Sequence, residues 1–303
     1  MVDITHKSST LRIATAQAIV KVSKSETIEA IKNDTVPKGN VFAMSKAAGL
    51  LGVKKTPELL PDCHPMPIEF SGIEYEINGL EITVLFTVKT IYKTGVEVEA
   101  MHGASVVALN MYDMLKPIDK GIEIHQLKLL EKKGGKSDFK DRFRKDLNAA
   151  VIVCSDTISA GQKEDKAGKA IIKKLEECGV SITEYVVIPD ENEIIKEKAI
   201  QYQKQDFDLI IYTGGTGLSK RDVTPEALLP LLERRIPGVE EAIRTYGQDR
   251  TPYSMLSRSV AGTIGNTLVL ALPGSTNGAK ESMDAIFPAV LHIFRILKGV
   301  RHD

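Results

Sequence analysis

From residue 148 onward the sequence alternates between short apolar segments and longer amphipathic ones, and this alternation constrains the fold more than any other feature. The predicted strands cover residues 149–154, 182–188, 209–212 and 268–272, and the predicted helices cover 168–178, 193–203, 225–234 and 280–297. Strands that are apolar along their whole length and are separated by helices form a parallel sheet that helices cover on both faces. We therefore predict a three-layer α/β domain with a mostly parallel sheet over residues 148–303.

Polar or glycine-rich segments follow each of the four predicted strands. They are Ser155-Asp156, Pro189-Asp190-Glu191, Thr213-Gly214-Gly215-Thr216-Gly217 and Pro273-Gly274-Ser275. In open α/β sheets ligands bind outside the carboxyl ends of the strands, so we expect these loops to converge on one crevice. Glycines let the backbone approach a ligand closely, and successive N–H groups can hold anionic oxygens. The pattern predicts a phosphate-bearing ligand.

Three carboxylates, those of Asp156, Asp190 and Asp222, belong to the same predicted crevice. Carboxylates repel phosphates unless a divalent cation lies between them, so we predict Mg²⁺ at Asp190 and Asp222. The glycine loop has neither Walker A spacing nor a dinucleotide fingerprint, which disfavours a kinase or a dehydrogenase. Each feature also has an ordinary structural explanation, because the glycines can form a plain tight turn and the aspartates can cap a turn or a helix.

The first half of the chain has a different pattern. It predicts a helix over residues 41–51, a β-hairpin over 74–88 around Asn78-Gly79, a long helix over 95–116 and a strand over 122–130. Hairpins and helices without regular alternation indicate an α+β domain, which we place at residues 1–138. The following segment is highly charged and contains few apolar residues, so we assign residues 139–147 to a linker.

Composition sets further bounds. A length of 303 residues favours two domains, and lysine plus arginine equal aspartate plus glutamate at 40 each, which argues against binding of nucleic acid or a membrane surface. The sequence shows neither a secretory leader nor an apolar run of about 20 residues, so we expect a cytoplasmic protein. Three widely spaced cysteines exclude a disulfide framework and a zinc knuckle.

Four motifs of the second half resemble, in order, the molybdopterin-binding domain of the MoaB/MogA family, the molybdopterin adenylyltransferases. They are Ile188-Pro189-Asp190-Glu191, Thr213-Gly214-Gly215-Thr216-Gly217, Arg221-Asp222-Val223-Thr224-Pro225-Glu226-Ala227 and Leu272-Pro273-Gly274-Ser275. The resemblance covers residues 148–299 and implies transfer of AMP from Mg-ATP to the terminal phosphate of molybdopterin, with release of pyrophosphate. An alternative is a pterin-binding or trimerising module without turnover.

By this resemblance Asp190 and Asp222 match the functional aspartates of the family. The residues that would hold phosphate, pterin or nucleotide are Gly214, Gly215, Thr216, Gly217, Ser155, Asp156, Pro273, Gly274 and Ser275. The implied cofactors are Mg²⁺ and ATP, and no covalently bound group is expected.

The first half resembles the MoaC family, the cyclic pyranopterin monophosphate synthases. The motifs are Met1-Val2-Asp3-Ile4, Lys38-Gly39-Asn40-Val41-Phe42-Ala43, Cys63-His64-Pro65, Lys93-Thr94-Gly95-Val96-Glu97-Val98-Glu99-Ala100, Tyr112-Asp113-Met114 and Gly134-Gly135-Lys136-Ser137. The resemblance covers residues 1–138. It implies a ferredoxin-like antiparallel sheet with helices and rearrangement of a cyclic dihydro-GTP derivative into cyclic pyranopterin monophosphate, with loss of pyrophosphate.

The residues that match catalytic positions of that family are Lys38, His64, Asp113, Lys116, Lys132 and Asp3, and those that match substrate-contacting positions are Asp62, Cys63, His64, Val98 and Glu99. Lysines suit a polyphosphate, and a histidine can move protons near neutral pH. Taken singly, a lysine is usually solvated and a histidine between two prolines can be structural. Asp62 departs from the family pattern, and we expect it either to weaken anion binding or to pair with a lysine.

The two resemblances together describe a fusion of two enzymes of molybdenum cofactor biosynthesis. Its partners would be pterin and GTP-derived small molecules. The MoaC family forms dimers assembled into hexamers with shared active sites, and the MoaB/MogA family often forms trimers. We therefore expect a homo-oligomer, either a trimer or a hexamer.

Overall fold

The structure is a computed structural model that describes residues 1–135, 146–297 and 299. The chain divides into two units, Met1–Phe139 and Lys140–Asp303. Most of the predicted linker at residues 139–147, together with Lys136 and Ser137 of the last MoaC-like motif, lies outside the described residues. Leu147 at the end of that range is buried in the core of the second unit.

The first unit is an antiparallel sheet with helices. Its elements are β1 Thr10–Lys21, α1 Ser25–Lys32, α2 Val41–Lys54, α3 Thr56–Leu59, β2 Phe70–Asn78, β3 Glu81–Tyr92, α4 Glu97–Leu115 and β4 Glu123–Lys133. The strand order is β2-β3-β1-β4, and every neighbouring pair is antiparallel. This order is that of a ferredoxin-like sheet, which confirms the predicted fold class.

Small residues let the helices lie close to this sheet. Along β1 the side chains that face the core are Ala14, Ala16, Ala18 and Val20, all completely buried. Phe86 of β3 fills the space beside two helical glycines, since a Cβ would lie 2.8 Å from its ring at Gly49 and 2.6 Å from it at Gly103. Close packing of this kind leaves no room for a larger residue at Gly49 or Gly103.

Helix α4 buries one apolar face and leaves another exposed. Its fully buried residues include Ala100, Ala104, Val107, Met111 and Leu115. The residues at Val98, Leu109 and Tyr112 are instead 45%, 59% and 40% exposed. The helix therefore carries apolar residues on two faces, and in this unit only one of them is covered.

The second unit is a mostly parallel sheet between two helical layers. Its elements are β5 Asn148–Cys154, α5 Asp156–Ser159, α6 Ala167–Glu177, β6 Ser181–Ile188, α7 Asn192–Lys204, β7 Leu209–Thr213, α8 Thr224–Leu228, β8 Arg234–Arg235, α9 Pro237–Gln248, β9 Val260–Ile264, β10 Thr267–Leu272, α10 Thr276–Ile286 and α11 Ile293–Ile296. The strand order is β6-β5-β7-β10-β9-β8. The first four strands are parallel, as predicted, and β9 and then β8 follow at one edge, each antiparallel to the strand before it.

Two predicted helices are shorter than their sequence patterns suggested. The helix predicted over 280–297 divides into α10 and α11, which are separated by Phe287, Pro288 and a 3-10 turn at Ala289–His292. The helix predicted over 225–234 ends at Leu228 and continues as a 3-10 turn at Leu229–Leu231. In both places a proline, Pro288 or Pro230, lacks the N–H that would extend the hydrogen-bond ladder.

Within the described part of the chain no helix is long and apolar enough to cross a membrane.

Candidate active sites

An aspartate that bridges two lysines lies at the carboxyl end of α4. Lys38, in the turn between α1 and α2, places its Nζ 2.6 Å from Oδ2 of Asp113, and Lys116 at the end of α4 places its Nζ 2.7 Å from Oδ1. Hydrogen bonds from Lys116 and Lys38 lower the pKa of Asp113 to about 2, and Asp113 raises the pKa of Lys116. One carboxylate thus faces two ammonium groups, which leaves the cluster with a net positive charge.

Lys132 lies in a separate basic cavity at the other end of α4. Its Nζ is 3.1 Å from Oε1 of Glu97, the first residue of the helix. The cavity has a volume of about 300 Å³, and its charged lining residues are Lys7, Arg12, Lys93, Glu97, Lys132 and Lys133. Five cations against one carboxylate suit a polyanion such as a triphosphate.

Sequence reasoning did not single out Arg12 as a cavity residue. It lies in β1, it is nearly buried, and its Nε donates a hydrogen bond to the carbonyl of Tyr92 at 3.1 Å. The strand pattern offers one signal, because Arg12 occupies a position whose equivalents farther along β1 are buried alanines. An arginine on the core-facing side of a strand is unusual unless it is paired or functional.

Cys63 and Glu99 also meet near the beginning of α4. The Cys63 Sγ donates to Oε1 of Glu99 at 2.9 Å, and the Glu99 side chain is only 1% exposed. Burial, and then the neighbouring Glu99, raise the pKa of the Cys63 thiol to about 12. The thiol therefore stays protonated near neutral pH and holds the Glu99 carboxylate as a hydrogen-bond donor rather than acting as a nucleophile.

His64 follows Cys63 and is held by the N-terminal segment. Its Nε2 lies 2.8 Å from the carbonyl oxygen of Val2. Because a carbonyl only accepts, Nε2 must carry the proton, and in the neutral ring Nδ1 remains able to accept one.

The two predicted acidic residues near His64 have local partners. Asp62 pairs with the amino group of Met1 at 3.0 Å, and this hydrogen bond lowers its pKa. The partner is therefore not the lysine that the sequence suggested. Asp3 accepts hydrogen bonds from the backbone N–H and hydroxyl of Thr5, which lower its pKa.

The predicted catalytic residues of the first unit therefore form two groups. One group lies near the beginning of α4 and comprises Asp3, Asp62, Cys63, His64, Val98, Glu99 and Lys132, while the other lies at its end and comprises Lys38, Asp113 and Lys116. Sixteen positions separate Glu97 from Asp113, which corresponds to about 24 Å along an α-helix. A single chain does not bring Lys132 and Asp113 together.

In the second unit the glycine loop after β7 has a backbone that larger residues would disturb. Gly214 and Gly215 have φ angles of +101° and +61°, which L side chains rarely adopt. A Cβ at Gly214 would lie 2.1 Å from the carbonyl oxygen of Cys154, and one at Gly215 would lie 2.3 Å from Oγ1 of Thr224. The Thr224 hydroxyl also donates to the carbonyl of Gly214 at 3.0 Å, so the beginning of α8 fixes the loop.

The loop after β10 packs against the glycine loop. The Thr213 hydroxyl donates to the carbonyl of Pro273 at 2.8 Å, and a Cβ at Gly274 would lie 2.9 Å from the Cα of Gly214. Ser275 caps α10 by accepting a hydrogen bond from the N–H of Gly278 at 3.2 Å. The Pro273-Gly274-Ser275 segment therefore lies where the sequence placed it, beside Gly214.

The loops after β5 and β6 join the same crevice. The Ser155 N–H donates to the carbonyl of Ile188 at 2.9 Å, and the Asp190 N–H donates to Oδ1 of Asp156 at 3.1 Å. A Cβ at Gly215 would lie 2.7 Å from Oδ1 of Asp190. All four loops thus converge at the carboxyl ends of the parallel strands.

Asp190 carries a buried carboxylate oxygen that lacks a partner. Its Oδ1 has no hydrogen bond among the described residues, which is costly for a buried polar atom. Burial, and then the charges of Asp156 and Asp222, raise the pKa of Asp190. Such an oxygen fits a site that gains a cation or a donor when a ligand binds.

Asp222 lies beside Gly217, the last glycine of the loop. A Cβ at Gly217 would be 2.9 Å from its Oδ2, and the Ser219 N–H donates to the same oxygen at 2.9 Å. Burial opposes ionisation of Asp222, but hydrogen bonds from Ser219 and Gly217 outweigh it and lower the pKa. Asp190 and Asp222 therefore both border the loop.

The carboxylates of Asp190 and Asp222 have the donor chemistry that Mg²⁺ prefers. Among the described residues no group of three or more His, Cys, Asp or Glu side chains forms a complete metal cage. Mg²⁺ is commonly held by one or two carboxylates together with phosphate oxygens and water, so a pair is a sufficient donor set. The unpartnered oxygen of Asp190 is the structural observation that favours this assignment.

A second cavity adjoins the Pro273 loop and contains residues that sequence reasoning missed. It has a volume of about 460 Å³, and its lining includes Pro273, Ser275, Asn277, Arg250, Tyr253 and Ser257. The segment 251–257 that supplies several of these residues is a loop with a short 3-10 turn, so no periodic pattern marks it.

Comparisons with known proteins find relatives of both halves of the chain. A family model described as "MoaC family" matches residues 1–135, and one described as "Probable molybdopterin binding domain" matches residues 150–292. Among solved structures, MoaB of Thermus thermophilus is 38% identical over 50% of this chain and 97% of that chain, with a TM-score of 0.48.

Relatives with both domains span the whole chain. A "Molybdenum cofactor biosynthesis bifunctional protein" of Chlorobaculum tepidum is 39% identical over 302 residues, which cover 100% of this chain and 96% of that protein. The protein of the same name from Synechococcus elongatus is 36% identical over 100% of this chain and 98% of its own length. A "Cyclic pyranopterin monophosphate synthase" of Aquifex aeolicus is 46% identical over 138 residues, 46% of this chain and 54% of that protein. The chain therefore belongs to the family of bifunctional molybdenum cofactor biosynthesis proteins, with a MoaC domain followed by a molybdopterin-binding domain of the MoaB/MogA type.

Proposed function

We propose that the MoaC domain is a lyase that converts the cyclic dihydro-GTP derivative into cyclic pyranopterin monophosphate and pyrophosphate. The observation that carries this proposal is the Lys38, Asp113 and Lys116 cluster, in which an ionised carboxylate of pKa about 2 holds two lysines in place. Charged lysines can act as proton donors and can neutralise a leaving pyrophosphate.

Other residues of the MoaC domain would bind the triphosphate, accept a proton and hold the guanine-derived ring. The basic cavity around Arg12 and Lys132 has the charge to bind a triphosphate. His64, with Nε2 held by the Val2 carbonyl, has Nδ1 available to accept a proton. The buried Glu99 carboxylate, held by Cys63, offers an acceptor for the N–H groups of a guanine-derived ring.

The lyase proposal is tested by removing the charges of the cluster one at a time. We expect Asp113→Asn and Lys116→Ala to lower product formation at least about 100-fold, the usual contribution of acid-base catalysis. Lys120→Ala is the matched control, because Lys120 is an exposed lysine four residues from Lys116 and no hydrogen bond or ion pair is described for it. Turnover by Lys116→Ala at the wild-type rate would contradict the proposal.

We propose that the second domain adenylylates molybdopterin with Mg-ATP. The observation that carries this proposal is the convergence of four loops around the unpartnered Asp190 oxygen and the glycine loop. Asp190 and Asp222 would hold Mg²⁺, which would neutralise phosphate charge. The N–H groups of the Gly214 to Gly217 loop would bind phosphate oxygens.

Release of pyrophosphate separates this activity from its alternative. With molybdopterin and Mg-ATP, we expect the wild-type protein to release pyrophosphate and Asp222→Ala to lose that release while it keeps lyase activity. Binding of molybdopterin without pyrophosphate release would indicate a pterin-binding or trimerising module instead. Equal loss of both activities in Asp222→Ala would indicate misfolding.

We also propose that the chain works as a homo-oligomer with active sites shared between MoaC domains. The supporting observation is the separation of Lys132 from Asp113 by the length of α4. A trimer or a hexamer would satisfy both domains.

A further inference from the structure

One side chain at the C-terminal site joins three of its four loops. The guanidinium of Arg221, in the loop after β7, donates through Nε to Oδ2 of Asp156 at 3.0 Å and through its terminal nitrogen to Oδ1 at 2.8 Å. Nη1 donates to Oε1 of Glu191 at 3.1 Å, and Nη2 donates to the same oxygen at 3.2 Å. Asp156 follows β5 and Glu191 follows β6, so one planar group contacts both neighbouring loops.

The loops held in this way are those that surround Asp190. The Asp156 Oδ1 that accepts from Arg221 also accepts the backbone N–H of Asp190 at 3.1 Å. Glu191, on the other side of Arg221, is the residue that follows Asp190. The backbone of Asp190 is therefore fixed by contacts that meet at Arg221, while Arg221 donates no hydrogen bond to the Asp190 carboxylate itself.

The charge distribution gives a reason for this arrangement. The carboxylates of Asp156, Asp190, Glu191 and Asp222 lie near one another, and of these Asp156 and Glu191 pair with Arg221. Arg258 instead donates to the backbone carbonyls of Gly217 and Asp222 and pairs with the side chain of Glu226. Without Arg221 the loops after β5 and β6 would carry uncompensated like charges that push them apart.

We propose that Arg221 is the positioning residue of the C-terminal site, and that it clamps the loops after β5 and β6 so that the Asp190 carboxylate faces the glycine loop before any ligand binds. The proposal rests on the adenylylation function proposed above. It assigns to Arg221 a task that needs a planar fork with two donor edges, which lysine does not have. A lone exposed ion pair would contribute little, but here three loops share one group.

The test compares Arg221→Gln with Lys220→Gln in the full-length protein. Both substitutions remove one positive charge from the same loop, but Lys220 is exposed, with no ion pair described for it. In the ligand-free protein we expect Arg221→Gln to accelerate amide hydrogen exchange in the peptide that contains Asp190 at least about tenfold, because the N–H loses its fixed acceptor. Lys220→Gln should leave that exchange at the wild-type rate.

Kinetics separate positioning from a general loss of structure. We expect Arg221→Gln to raise the KM for Mg-ATP about tenfold while kcat stays within about twofold of wild type, because saturating ligand restores the arrangement. Arg221→Lys should recover only part of the affinity. Lyase activity of the MoaC domain should be unchanged in all three variants.

Two results would overturn the clamp. One is exchange of the Asp190 peptide in Arg221→Gln that matches Lys220→Gln, and the other is full recovery of exchange and affinity by Arg221→Lys. If the wild-type protein neither binds nor turns over Mg-ATP, the proposed adenylylation fails, whereas the exchange comparison still decides whether Arg221 positions the loops.

Discussion

Cys63 shows how one contact changes what a reactive residue type can do. Cysteine beside histidine in the sequence resembles a nucleophile and its base, but here the thiol donates to a carboxylate that is almost completely buried. A neighbouring negative charge and loss of solvent both disfavour the thiolate. Cys63 is therefore expected to act through Glu99.

The first prediction concerns the reactivity of this thiol. With a pKa of about 12, Cys63 should react with iodoacetamide at pH 8 roughly a hundredfold more slowly than an ordinary thiol of pKa about 8.5, because its far smaller thiolate fraction outweighs the higher nucleophilicity of that thiolate. Its labelling rate should also keep rising about tenfold per pH unit up to pH 10 instead of levelling off near pH 9. Peptide mass spectrometry measures both rates, and the urea-unfolded protein provides the control. A plateau near pH 9 would contradict the role of Glu99.

Among the secondary-structure elements of the MoaC domain, the end of α4 is joined to α1 and to the segments beside it through Asp119. Asp119 follows α4, is 1% exposed, and accepts hydrogen bonds from the N–H and hydroxyl of Ser23, the hydroxyl of Thr27 and the N–H of Gly121. Ser23 lies between β1 and α1, Thr27 lies in α1, and Gly121 lies just before β4. Removal of Asp119 would leave several donors without acceptors in a buried place.

The second prediction follows from these contacts. Asp119→Ala should lower the free energy of unfolding of the MoaC domain by about 2 to 4 kcal/mol, measured by urea denaturation. Burial raises the pKa of Asp119, but hydrogen bonds from Ser23, Gly121 and Thr27 outweigh it and lower the pKa to about 2. A depressed pKa stabilises the folded state above about pH 4, and this stabilisation is lost as the pH falls toward 2. The urea midpoint of Asp119→Asn should therefore depend less on pH in that window than that of wild type.

Element types could be predicted where one face is apolar and the other polar, and less well elsewhere. In β1 the buried alanines alternate with Ile13, Thr15 and Ile19, so both faces have similar hydrophobicity and period-two alternation is weak. In α4 likewise, alanines are buried while the larger Leu109 is exposed. Alanine fits against a sheet because of its size, which hydrophobic periodicity does not measure.

The candidate sites, too, could be predicted from the sequence only in part. The C-terminal loops could be placed from the sequence because the parallel-sheet rule assigns all four to one edge. The roles of Arg12 and Arg221 could not, since a long side chain reaches residues that are distant in sequence. Nor could the sequence show that Lys132 and Asp113 lie at opposite ends of one helix.

At the scale of the whole molecule, the exposed face of α4 connects the two halves of the lyase site. Val98, Leu109 and Tyr112 form an apolar stripe from the Lys132 end of the helix to the Asp113 end. In a two-fold symmetric pair the same surface of both copies meets, and antiparallel α4 helices would place each Lys132 end beside the partner's Asp113 end. Such a pair would assemble two complete sites.

The third prediction tests this sharing by mixing inactive variants. Lys132→Ala and Asp113→Asn should each be nearly inactive, but after subunit exchange the mixture should recover roughly a quarter of wild-type lyase activity, because half of random pairs contain one intact site of two. Mixing Asp113→Asn with Lys116→Ala, which affect the same end, should recover no activity. Failure of the first mixture despite confirmed exchange would place each site within one chain.

Gly134, just beyond the end of β4, has a consequence for dividing the protein. Its φ is +91°, and a Cβ there would lie 1.6 Å from the carbonyl oxygen of Leu11, so a side chain at this position would push the end of β4 away from β1. A lyase fragment should therefore retain its sequence through Gly135. Spacers, affinity tags or protease sites that separate the two domains belong after that point, where they leave this backbone contact intact.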